Sequence, residues 1–269
     1  MISERVLEIR RKFLSEELEN KAKQIKGILI GLDNQSVKFF KKFVEGALKG
    51  KNIKDILRGC FIAALKISGI RSMGYGRIPF TKLSSFLLFE KFLNKYATTK
   101  LFEEFTKFTD ALVEFSLFEA IKEIPTWRYW LVDGDVGMLA GIKKRKDLDG
   151  LFEKLRFSLI CFPHFSPSTA NMFIYFTIKC YKLWKLPYKL LRVPYFSGLI
   201  KLAQKLKLVK RKIKGSHTFS SHHYIALQEL GRIVCPEDPT KLLVLEFVSR
   251  TFCKNKKCEE CKLNKLCEL

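Results

Sequence analysis

From Lys154 to Gln228 the chain runs for 75 residues without an Asp or a Glu, while carrying 14 Lys or Arg. Few features limit a chain more, because no carboxylate can act from inside such a segment. Its obvious partner is a polyanion, with nucleic acid ahead of a membrane surface. The segment does not belong to a disordered tail. Hydrophobic residues make up 47% of the 269 residues, enough for a packed core despite a formal net charge of +23.

That core is expected to be helical. Apolar residues recur at helical spacing through Val6–Ile25, and Asn34 is placed to cap a helix reaching Leu48, ended by Gly50. Residues 53–67 read as a buried helix, and Gly69, Gly74, Gly76 and Pro79 break the chain after it. Further helices are expected over about residues 82–96, 101–121 and 148–158. Period-two alternation is nearly absent, so the fold class expected is all-α. The 24 Phe read as core. No purely apolar run approaches the ~18–20 residues that a membrane span needs. The start, Met1-Ile2-Ser3-Glu4-Arg5-Val6, lacks a signal-peptide pattern, so a cytoplasmic protein with reduced thiols is expected.

Four of the eight cysteines lie in the last 17 residues, as Cys253, Cys258, Cys261 and Cys267. The pattern C-x4-C-x2-C-x5-C puts four soft ligands on one short loop, where they can wrap a single ion or cluster. Structural zinc more often uses two C-x2-C pairs. With only one such pair and uneven spacing, a [4Fe–4S] cluster is favoured. Interleaved Lys residues offset the thiolate charge. Cys60, Cys161 and Cys180 read as small core residues. Cys235 stays open as an alternative first ligand to Cys253.

Upstream, Phe162-Pro163-His164-Phe165-Ser166-Pro167-Ser168-Thr169-Ala170 forms a turn between two apolar helical stretches. Such a turn can aim free helix N–H groups at a phosphate, or it can be an ordinary joint. Trp127-Arg128-Tyr129-Trp130 precedes Asp133 and Asp135, a set able to stack a flipped base, although both Asp also suit a turn and a helix cap. At most one of His222 and His223 can serve as a base-edge reader or acid–base group, and the pair reads first as a phosphate contact or helix-start packing; Arg71 and Arg77 read as further phosphate contacts.

These pieces, in this order, resemble the helix-hairpin-helix DNA glycosylases that carry a C-terminal Fe–S loop, the endonuclease III and adenine glycosylase group. The hairpin resembles L-P-G-V-G-x-[KS]-T-A. Lys201-Leu202-Ala203-Gln204-Lys205-Leu206-Lys207-Leu208 is similar to R-L-A-x-R-L-G-L, and Gly231-Arg232-Ile233-Val234-Cys235 is similar to G-R-x-x-C. The likeness covers about residues 155–269. It implies a six-helix domain over 30–190 and a second domain from 1–29 plus 191–269 that holds the cluster. Double-stranded DNA would lie between them, bound by a monomer, with no membrane contact. His164, Ser166, Ser168 and Thr169 would meet phosphates. Lys201, Lys205, Lys207, Lys210, Arg211, Lys212 and Lys214 would line the path, unless they form a plain solvated face. Ser168 stands where the lyases of the family keep a Schiff-base Lys, and Phe196 where the family keeps its catalytic Asp. A glycosidic transition state needs a negative charge nearby. The resemblance therefore implies a DNA-repair-like binding protein without the usual chemistry, or an enzyme with its acid relocated to Asp133 or Asp135.

Overall fold

The computed structural model describes residues 4–48, 50–64, 66–67, 153, 156, 159, 166–183, 187–210 and 222–267. Among these the chain is helical and has no strand, only an isolated antiparallel bridge between Leu14 and Val209. The all-α expectation is met at that level. None of the described helices is long and apolar enough to cross a membrane. The chain divides into two compact units, residues 1–40 with 186–269, and residues 41–185.

The N-terminal helices are cut differently from the sequence expectation. Helix α1 spans Glu4–Phe13, and α2 runs unbroken from Leu18 to Glu45, straight through Asn34. The break falls at Leu14–Glu17 because Leu14 leaves the helix to bridge Val209. Ser15 N donates to Leu208 O at 3.2 Å, and Lys210 N to Phe13 O at 2.9 Å. Ser15 Oγ then accepts from Glu17 N at 3.3 Å, turning the chain into α2. No proline interrupts α2. Its glycines, Gly27 and Gly31, cost only about 1 kcal/mol each, less than a continuous apolar stripe returns. That stripe is Leu18, Ala22, Ile25, Leu29, Leu32 and Phe40, all buried.

In the first unit, three helices complete the described scaffold: α5 (Ser197–Lys205), α6 (His222–Val234) and α7 (Leu243–Val248). Helix α1 packs on α6, and α5 packs on α7. Arg10 reaches from α1 to buried Glu229 on α6, with Nε at 3.0 Å and Nη2 at 2.7 Å from Oε2. Arg232 Nη1 takes the other oxygen at 2.8 Å. Gln228, also buried, accepts from Val193 N at 2.8 Å and donates to Val193 O at 3.0 Å, so the extended stretch before α5 keeps its hydrogen bonds without a strand partner.

Helix α5 ends in a Schellman turn. Leu208 N donates to Ala203 O and Lys207 N to Gln204 O, both at 2.9 Å, and Lys207 holds φ 55°. A side chain in this left-handed region costs about 1–2 kcal/mol relative to glycine. Lys207→Gly is therefore expected to raise stability by about 1 kcal/mol in urea unfolding; a loss would show that the lysine side chain outweighs the backbone cost.

In the second unit, α3 (Ile53–Ala64) packs on α4 (Pro167–Tyr175) and on the π-turn Phe176–Cys180 that follows it. Asn52 Oδ1 caps α3 by accepting from Asp55 N at 2.8 Å. Cys60 and Cys180 are buried here, in keeping with their reading as small core residues, and burial pushes the Cys60 thiol up. Arg156 is buried beside Glu153, its Nη1 at 2.9 and 2.6 Å from the two carboxylate oxygens. Burial also lowers the Lys66 ammonium to about 8.

Candidate metal centre and basic face

The cysteine loop is wound from successive tight turns. A π-turn, Ser249–Cys253, follows α7 directly and ends at the first cysteine. Its wide bonds are Lys254 N to Ser249 O and, one turn on, Lys257 N to Phe252 O, both at 2.9 Å. Cys261 N donates to Cys258 O at 3.0 Å, so the C-x2-C pair closes a single turn. Asn264 N donates to Cys261 O at 3.0 Å and Cys267 N to Asn264 O at 3.1 Å. Lys256 takes a left-handed φ of 56° to reverse the chain between the first two cysteines. Leu263, fully buried, anchors the loop to the unit. The local reason is compositional: Asn and Lys at the bends, one large apolar residue to hold the loop down.

All four thiols are free and half-buried. The Cys253 thiol is raised first by burial and then by Cys261, Cys267 and Cys258, while Lys205 pulls it down. The Cys267 thiol is raised by burial, lowered by Lys205, and raised again by Cys261 and Cys258. Among the described residues, no group of three or more His, Cys, Asp or Glu side chains stands ready to hold a metal ion. A bound group would therefore have to draw the thiols inward. The donor set fits a thiophilic ion or cluster in kind: four soft ligands on one loop, partly shielded, whose mutual repulsion a cation would relieve. Cys235, the alternative first ligand, is fully buried after α6, its thiol pushed up to about 12 by burial and then by Glu237, and its charged neighbours are Glu237, Lys241, Lys26 and Asp238.

A second feature sits at the start of α5. Phe196, aligned above with the family's catalytic Asp, is buried and stacks on Phe40 at 6.0 Å, with the Arg250 guanidinium 5.7 Å from its ring. A carboxylate nevertheless stands at this point. Glu246, buried on α7, accepts from Leu199 N at 2.7 Å through Oε2 and from Arg250 Nε at 2.7 Å through Oε1. Gly198 makes this possible, since a Cβ there would lie 2.5 Å from Glu246 Oε2 and 2.6 Å from Ser249 Oγ. The sequence reading missed Glu246. The available signal was a lone charge within the apolar run Leu243-Val244-Leu245-Glu246-Phe247-Val248, since a buried charge demands a partner.

The other residues singled out from sequence fall as follows. Ser166 caps α4: its Oγ accepts from Thr169 N at 3.2 Å and meets Thr169 Oγ1 at 2.9 Å. Thr169 is fully buried and Ser168 half-buried. Lys201, Lys205, Lys207 and Lys210 are exposed on α5 and the turn after it. Lys210 pairs with Glu16. His222 is exposed at the start of α6, and His223 packs edge-on against Phe13 at 5.0 Å, as helix-start packing. His164, Asp133, Asp135, Arg71, Arg77, Arg211, Lys212, Lys214, Cys161 and the Trp127–Trp130 stretch lie outside the described residues.

The chain matches no protein-family model, no curated protein and no solved structure.

Proposed function

We propose that the protein is a helical nucleic-acid-binding module of the helix-hairpin-helix glycosylase type, with a structural [4Fe–4S] cluster in its C-terminal loop. It binds double-stranded DNA as a cytoplasmic monomer in a repair-related role, without cutting glycosidic bonds. The observation that carries this reading is the C-terminal loop of successive tight turns bearing four half-buried cysteines, flanked by exposed Lys254, Lys256, Lys257, Lys262 and Lys265. Cys253, Cys258, Cys261 and Cys267 would hold the cluster. Bound there, it would cross-link the loop and keep its lysines in a fixed array. Lys207 adds support. It stands where the resembled pattern has glycine, and it holds the left-handed conformation that makes glycine usual there.

Binding is expected to depend steeply on salt. With 6–10 phosphates neutralised, affinity for a short duplex falls about 10³–10⁵-fold between about 50 and 200 mM salt. Affinity unchanged over that range, measured by fluorescence anisotropy, would exclude a phosphate-led interface.

One observation favours a second reading, an active base-excision enzyme with a relocated acid. Glu246 brings a carboxylate to the Phe196–Gly198 segment, in addition to the sequence candidates Asp133 and Asp135. Duplexes with varied lesions, treated with alkali after incubation, separate the two readings. Intact strands are expected. Base release that disappears in Glu246→Gln, which keeps an acceptor for Leu199 N, would establish the enzyme instead.

A further inference from the structure

We propose that Arg10 and Arg232, both held by the buried carboxylate of Glu229, form a binding site for a phosphate group where α1 packs on α6. In taking that phosphate from a nucleic-acid backbone, the inference rests on the reading above; the site itself rests on the three side chains.

Glu229 lies on α6 with its side chain 4% exposed. Its Oε2 accepts from Arg10 Nε at 3.0 Å and Nη2 at 2.7 Å, and its Oε1 from Arg232 Nη1 at 2.8 Å. One buried carboxylate thus gathers two guanidiniums, and one positive charge is left over. The arginines are less buried than the acid that holds them, at 29% and 47% side-chain exposure. A guanidinium carries five N–H donors. Arg10 spends two on Glu229 and Arg232 spends one, and the other donors of both forks have no partner among the described residues. No second acid stands three or four residues from either arginine along its helix, and Arg11 and Lys12 follow Arg10, both exposed.

Glu237 shows what an ordinary shared acid looks like. It also meets two cations, Lys26 at 3.3 Å and Lys241 at 3.4 Å, but its side chain is 45% exposed, so water competes for both ammoniums. Glu229 has no such access to water. It fixes both forks before a ligand arrives, so the side-chain ordering that binding otherwise costs is already met. A ligand carboxylate has two oxygens and fills one fork. A phosphate has more, and can accept from both arginines at once in charge-assisted hydrogen bonds. Joining α1 to α6 needs Arg10 alone. Arg232 lies on the same helix as Glu229 and crosses no interface, so that joint does not account for it.

The test binds the full-length protein to a short fluorescent duplex at salt concentrations from about 50 to 200 mM, read by anisotropy. Arg232→Gln is expected to reduce the salt slope by about one, equally for duplexes of different sequence, as loss of one phosphate contact does. Lys23→Gln, which removes an exposed charge on α2, should leave the slope at its native value. Duplexes with single phosphates replaced by uncharged methylphosphonates give a second reading. The native chain should lose affinity at several positions, and Arg232→Gln should be insensitive at one of them. A second arm titrates inorganic phosphate by calorimetry. One site on the native chain that is lost in Arg232→Gln, with duplex binding unchanged, would support the site but assign it to a small phosphate ligand. Arg232→Gln behaving as the native chain in both arms, or Lys23→Gln lowering the slope equally, would overturn the proposal. A native chain that binds no duplex would remove the nucleic-acid reading instead, and the inorganic phosphate titration would then decide the site alone.

Discussion

Replacing either Cys258 or Cys261 by Ser is expected to abolish metal retention, leaving a colourless protein with an unwound C-terminal loop. These two residues share one tight turn, with Cys261 N bonded to Cys258 O at 3.0 Å, and losing either leaves three thiols where four are needed. Structural metal sites on small loops contribute about 10 kcal/mol or more to local folding, far beyond what Leu263 alone can supply. Iron and sulfide analysis of protein purified without oxygen reads the outcome, together with the broad visible absorbance of a cluster. Cys235→Ser and Cys60→Ser provide the contrast. Both thiols are fully buried, unlike the half-buried loop cysteines, so iron content should hold although stability falls. Native protein that is colourless and carries zinc would refute the cluster, and iron lost equally from Cys235→Ser would refute the ligand set.

The second large effect is expected at Glu246. Glu246→Ala removes the acceptor for Leu199 N and the partner of Arg250 in one step, beside the buried ring of Phe196. Breaking a buried pair leaves the surviving groups uncompensated, which costs about 3–5 kcal/mol. Urea unfolding should show the midpoint falling by that equivalent. Glu246→Gln, which retains an acceptor but no charge, should lose about half as much. In a double-mutant cycle, Arg250→Ala should add little once Glu246 is gone. A loss below about 1 kcal/mol for Glu246→Ala would mean that water already satisfies the start of α5.

Glu246 also recasts the acid-free segment. Its cations and open backbone groups are met by carboxylates from outside: Glu153 on Arg156, Glu16 on Lys210, and Glu246 at Leu199 N. Glu153 and Arg156 are three residues apart, but sequence patterning carries no information about the other two pairings, because they depend on which segments pack together. The same limit explains the misplaced break in the N-terminal helices. Propensity permits a break near Gly27–Gly31 and permits continuity equally well. The bridge between Leu14 and Val209 decides it, and that bridge joins segments far apart in the sequence. Ser166 as the cap of α4 lay within reach of local reasoning, since Ser-Pro-x-Thr is a helix-start pattern.

Amino-acid order alone determined the helical class, the buried stripe of α2 and the grouping of four cysteines on one loop. Each of these rests on spacing along the chain, and a period of 3.6 residues or a run of turn residues acts over a few positions. Tertiary structure alone decided that Cys235 is fully buried while the four loop cysteines stay half-buried, and that Glu246 supplies the carboxylate α5 lacks. These outcomes depend on charges and hydrogen bonds between residues far apart in sequence, as Arg10 and Glu229 are at 219 positions. Burial strengthens such contacts, and only the packed chain determines which groups are buried together.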